Sequence, residues 1–157
     1  MRDYCCGQFG EAENPDVTPA AGAKWISARD APTRKRQQLA IGDEADPIRR
    51  IELGIRGSIA WFAEHREYFA IIQFAASDET FAPVLARNRE ISIADTIRHL
   101  KDGIVDGRIV DRDPELLAHA IHGVVAELTR HSLVDGKLAV DDVAELCVAF
   151  CLRGLTG

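Results

Sequence analysis

Residues 46–62 read DPIRRIELGIRGSIAWF, and the spacing within them decides the class of the fold. Ile48, Ile51, Ile55, Ile59 and Phe62 recur every three or four residues, the period that lines side chains along one face of an α-helix. Asp46 is a favoured N-cap, because its carboxylate can accept from a backbone N–H that the helix leaves orphaned. Pro47 suits the first helical position, where its missing N–H is not needed and its φ is already helical. The pattern predicts a helix from Pro47 that ends near Glu64 and His65.

Working toward the C-terminus, residues 68–75, YFAIIQFA, are apolar nearly all round, which predicts a short buried helix. Ser77 and Asp78 offer a new cap, and a longer helix is expected from Thr80 to about Gly103. Its stripe is Phe81, Val84, Leu85, Ile93, Ile97, Leu100 and Ile104, with Pro83 tolerable only because it falls in the first turn. Gly103 and Gly107 flag a tight connection. Asp113 and Pro114 repeat the cap-plus-proline start, followed by Leu117, Ile121, Val124 and Leu128 on one face and Ala118 and Val125 beside them. Asp135 and Gly136 supply a turn. Asp141 and Asp142 open a last helix, where acidic groups suit the positive end of the dipole. Val143, Cys147 and Phe150 form its stripe, flanked by Leu146 and Cys151, and Gly154 and Gly157 mark its end. The expectation is an all-α helical bundle of about five main helices over residues 46–157, with no alternating strand and no internal repeat.

Working toward the N-terminus, the periodicity stops. Residues 1–45 carry Gly7, Gly10, Pro15, Pro19, Gly22, Pro32 and Gly42 without a sustained apolar period. Such punctuation reads as a loop-rich or disordered arm, with room for a short helix from Arg34 to Ile41.

A chain of 157 residues is long enough for one domain with a real hydrophobic core. Its net charge of −6 argues against a surface built to grip phosphates, since nucleic-acid affinity rests on clustered Lys and Arg. Charges interrupt every apolar run before it reaches the length of a membrane span, and the N-terminus has no apolar core of a secretory signal. Cys5 and Cys6 are adjacent, and Cys147 and Cys151 stand four apart, which are unfavourable placements for disulfides. Reduced thiols in a cytoplasmic protein are the expectation.

The chain resembles the C-terminal domain of TetR/AcrR-family bacterial transcription regulators from about Asp46 to its end. The resemblance is carried by WFAEHREYF at residues 61–69, by KDGIVDGRI at 101–109, by DPELLA at 113–118 and by AIHGV at 120–124, in that order and spacing. It implies a domain whose last two long helices pair with those of a second subunit in a four-helix bundle. It also implies a pocket that binds a small, often apolar effector, whose binding re-spaces two N-terminal helix-turn-helix heads and releases DNA. The chain departs from the family at that head, which takes about 45–50 residues in three helices. Within residues 1–45 only Ala20-Ala21-Gly22-Ala23 faintly echoes it, and the basic cluster Arg34-Lys35-Arg36 is short. No DNA-contacting residue carries over.

Candidate site residues follow from the predicted faces. Trp61, Phe62, Phe69, Phe81, Ile97 and His122 are the expected pocket lining. Aromatic groups supply the apolar wall and His122 a polar group to orient a ligand. Leu117, Ile121, Val125, Leu128, Val143, Cys147 and Phe150 are the expected dimer interface, because the helix at 114–131 is apolar over more than one packing stripe needs. Gly123 costs a helix about 1 kcal/mol relative to alanine, which close approach of another helix or a ligand would explain. Glu115, His119 and His122 share a helix face at metal-ligand spacing, but no second cluster completes a site, so no metal is expected. No cofactor or catalytic role is expected either, for there is no G-x-S-x-G elbow, P-loop, dinucleotide fingerprint or HExxH. The leading expectation is a homodimeric domain that senses a small hydrophobic molecule. A headless module that heterodimerises with a full-length regulator is the alternative, and a small helical enzyme ranks last.

Overall fold

A computed structural model describes residues 22, 24, 26, 28, 35, 38–133, 136 and 138–157. Five long helices follow one another: α1 (Pro47–Glu64), α2 (Arg66–Ala75), α3 (Ala82–Val105), α4 (Pro114–Leu133) and α5 (Val140–Thr156). No strand occurs among the described residues. The all-α expectation holds.

The start of α1 forms as its sequence dictates. The Asp46 carboxylate accepts from the Ile48 N–H at 2.9 Å, and Pro47 follows as the first helical residue. Ile51, Ile55 and Ile59 then point into the core, at 4%, 4% and 2% exposure. They meet Ile93 and Leu100 of α3, Ile121 of α4, and Val143, Cys147 and Cys151 of α5. Helix α1 packs on α3, α4 and α5, which themselves pack in sequence, so the four form a bundle and α2 leans on α1. Burial of a large aliphatic side chain contributes roughly 1.5–3 kcal/mol, so this apolar seam is the main source of stability.

The link between α3 and α4 depends on two glycines. The Gly103 carbonyl accepts from the N–H groups of both Arg108 and Ile109, at 2.9 and 3.0 Å, so the chain reverses directly over it. A β-carbon on Gly103 would lie 2.8 Å from Cγ1 of Ile109, too close for any side chain. Gly107 takes φ of +67°, a left-handed conformation open to glycine at little cost. The Val110 N–H then donates to the Leu155 carbonyl at 2.8 Å, fastening this link to the end of α5.

Several local expectations are corrected. Helix α2 is not enclosed all round: Tyr68, Phe69 and Ala75 are buried, whereas Ile71 and Phe74 are 42% and 74% exposed. A helix of ten residues resting on the edge of the bundle has one covered side. Helix α3 starts at Ala82 rather than Thr80, because the Asp78 carboxylate accepts from the Thr80 N–H at 2.8 Å and makes a turn instead of a cap. It runs past Gly103 to Val105, and α5 runs past Gly154 to Thr156.

The described residues ahead of α1 are also informative. Gly22, Lys24, Ile26, Ala28, Lys35 and residues 38–41 are helical. Ile26 is 2% exposed, and its carbonyl accepts from the Tyr68 hydroxyl at 3.2 Å. A β-carbon on Gly22 would stand 2.8 Å from the Phe81 ring. These contacts seat that stretch on α2 and the turn after it. Cys5, Cys6, Arg34, Arg36 and Asp135 lie outside the described residues.

Candidate functional site

The six expected pocket residues fall into three places. Trp61, Phe62 and Phe69 gather at the joint of α1 and α2. The Trp61 indole stacks on His65 at 4.3 Å, and meets Phe62 and Tyr68 edge-on at 5.3 and 5.1 Å. Phe62 meets Phe69 edge-on at 5.1 Å. The His65 Nδ1–H donates to the Trp61 carbonyl at 2.9 Å, since a carbonyl can only accept. Phe81 is drawn away to Gly22.

Ile97 and His122 lie across the seam of α3 and α4. Ile97 packs, half-buried, against the core. His122 Nε2 is 3.1 Å from the Thr96 hydroxyl, which donates its one proton to the Ser92 carbonyl at 3.1 Å. The hydroxyl must therefore accept from His122, which places the ring proton on Nε2. Burial, then the Arg89 charge, lowers the proton affinity of this ring, so it is held neutral. A neutral imidazole on a half-buried seam can orient a polar group of a ligand without a charge to desolvate.

The seven expected interface residues also divide. Ile121, Val143 and Cys147 are 6%, 0% and 0% exposed, enclosed by the chain's own core. Leu117, Val125 and Leu128 are half-buried against that core. Phe150 stands clear at 63% exposure, and Leu146, which the interface set omits, joins it at 48%. Leu128, Leu146 and Phe150 line a groove of about 460 Å³ together with Gly123, Val124 and Glu127. A second groove of about 450 Å³ adjoins it, lined by Leu146, Ala149, Phe150, Arg153 and Gly154. A β-carbon on Gly123 would meet nothing within 4 Å, so no neighbour among the described residues needs a glycine there.

The spacing of Glu115, His119 and His122 brings no cluster about. Glu115 and His119 are exposed while His122 turns to Thr96, and no group of three metal-ligating side chains forms among the described residues. His99 faces Arg50 of α1 at 3.3 Å. Sequence reasoning missed that contact, because its two partners are 49 positions apart and neither sits in a motif.

A family model described as the tetracyclin repressor-like C-terminal domain matches residues 44–155. No curated protein matches the chain. Among solved structures, a Clostridium perfringens protein described as a fatty acid metabolism regulator superposes with a TM-score of 0.76 at 19% identity, over 90% of this chain and 78% of that one. SmeT, the repressor of the Stenotrophomonas maltophilia multidrug efflux pump SmeDEF, gives 0.70 at 13% identity, over 90% and 84%. A TetR-like transcriptional regulator from Rhodococcus gives 0.68 at 20% identity, over 87% and 69%. At these identities the likeness is one of fold.

Proposed function

The chain belongs to the tetracyclin repressor-like C-terminal domain family, a family of transcription regulators rather than enzymes, and on that premise we propose that it is a homodimeric effector-sensing domain. Its second copy docks on the α4–α5 face, and its effector is a small hydrophobic molecule. We assign no DNA contact to residues 1–45, because their sequence offers no recognisable helix-turn-helix pattern and the chain carries a net charge of −6.

The observation that carries the dimer reading is the open apolar groove over Gly123. Leu146 and Phe150 expose large apolar surface beside a glycine with nothing above it. Gly123 costs α4 about 1 kcal/mol that no contact among the described residues recovers. A facing helix from a second copy supplies the missing contact, with Phe150 as the projecting group. The interface therefore uses the outward residues of the two helices singled out in the sequence, while Ile121, Val143 and Cys147 hold those helices in place from within. The effector reading is supported by the aromatic group of Trp61, Phe62 and Phe69 at the α1–α2 joint and, separately, by the neutral His122 on the seam of α3 and α4.

Sedimentation velocity on the wild type and on Phe150→Glu tests the dimer. The expected result is a dimer that becomes a folded monomer in the variant, since a desolvated carboxylate at a packed apolar interface is strongly unfavourable. A wild type that stays monomeric at high micromolar concentration overturns it. Native mass spectrometry of the same preparation reads the effector. Retained mass that is lost on denaturation supports a sensor, and it should fall in His122→Leu if that ring orients the ligand.

A further inference from the structure

We propose that His99 is an acid-released catch that holds the first turns of α1 on α3. Arg50, one turn into α1, spreads its guanidinium over three acceptors. Nη2 donates to the Ala45 carbonyl at 3.2 Å, and Nη1 to the Asp102 carboxylate at 2.9 Å and to His99 Nδ1 at 3.3 Å. Arginine has donors only and does not give up its proton near neutral pH. The contact with His99 thus requires a lone pair on Nδ1, so the imidazole is neutral with its proton on Nε2.

Protonation turns that acceptor into a donor and sets two cations against each other at the same distance. Arg50 is the charged group that acts on this ring from α1, and Arg98, Asp95 and Asp102 act on it from α3 itself. The two carboxylates favour the charged ring, but burial and the two arginines outweigh them and hold its proton affinity below the ordinary value of 6.5. When Arg50 withdraws it also leaves the Ala45 carbonyl, next to the cap at Asp46. There the Asp46 N–H donates to the Glu44 carboxylate at 2.9 Å, and the Glu44 N–H donates to the Ile41 carbonyl at 2.9 Å. Acid therefore loosens the joint between residues 38–41 and the domain, while the apolar seam of α1 at Ile51, Ile55 and Ile59 stays packed.

The sign follows from proton counting. The folded ring binds fewer protons than the unfolded one, so the catch contributes fully above pH 6.5 and weakens as pH falls through that value. The loss ends once the folded ring is itself protonated. Histidine and arginine side-chain NMR on the wild type, from pH 7.5 down to 5, tests the catch together with amide exchange in the first turns of α1. The expected result is a His99 midpoint below 6.5, an Arg50 Nε resonance that moves with the same midpoint, and protection at Arg50 to Glu52 that drops by up to about tenfold per pH unit. His99→Asn keeps an acceptor near Nδ1 but cannot take a proton, and should remove that pH dependence. His119→Gln, which alters an exposed ring on α4, should leave it intact. An Arg50 resonance indifferent to the His99 titration, or the same loss of protection in His99→Asn, overturns the proposal. The wild-type titration decides even if the variants do not fold.

Discussion

Two glycines show how far a single α-hydrogen matters, and in opposite directions. At Gly103 the β-carbon of an alanine would press on Ile109, which is itself 4% exposed and hemmed in by the core. Gly103→Ala should destabilise the chain by about 1–3 kcal/mol, the range for overpacking a filled interior, read as a lowered urea midpoint. At Gly123 the same change meets open space among the described residues. Gly123→Ala should raise the stability of the dilute monomer by about 1 kcal/mol through helix propensity while it weakens self-association. Urea unfolding at low concentration and sedimentation equilibrium separate these two effects. A Gly123→Ala chain that associates as tightly as the wild type would place the partner helix elsewhere.

Helix α1 is fastened to its neighbours by charge as well as by the isoleucine stripe. Arg56 donates to Glu52 within α1 at 2.8 Å and reaches Glu145 of α5 with both terminal nitrogens, at 2.7 and 3.0 Å. The Glu145 side chain is 69% exposed, so solvent screens the pair. Arg56→Met should therefore cost no more than about 1 kcal/mol, and 1 M salt should erase most of the difference in melting temperature. The elements themselves were legible in the sequence wherever period and cap agreed. Asp46-Pro47 and Asp113-Pro114 each open a helix at the proline, with Asp113 accepting from the Glu115 N–H at 2.9 Å. What could not be read was which side of an apolar helix faces inward. Val143 and Phe150 lie seven residues apart on α5, nearly two turns, yet one is fully enclosed and the other open. A helix of 3.6 residues per turn advances about 20° short of two turns in seven residues, and a narrow packing seam resolves that drift where a list of apolar residues does not. The same limit explains why the pocket residues separate: Phe81 lies against Gly22 rather than Trp61, through a packing choice made some 60 positions upstream.

At the scale of the molecule, α1, α3, α4 and α5 share one core, and α5 presents that core with one face and the groove with the other. Its two thiols lie on the enclosed face. Cys147 and Cys151 are free and buried, and burial pushes the Cys151 thiol up to about 11, with Cys147 beside it adding to the effect. An alkylating reagent reacts with thiolate, so both groups should be inert near neutral pH while the bundle is closed. Once α5 swings away they should label fully. Peptide-resolved mass spectrometry after timed exposure to iodoacetamide should show Cys147 and Cys151 modified together, at a rate that rises with urea. Rapid labelling of the native chain would mean that α5 opens far more often than a filled core permits. The sealed pair is thus a chemical stopwatch already written into the last helix. It times the opening of the bundle without an introduced dye, and it runs more slowly whenever something clasps the outer face of α5.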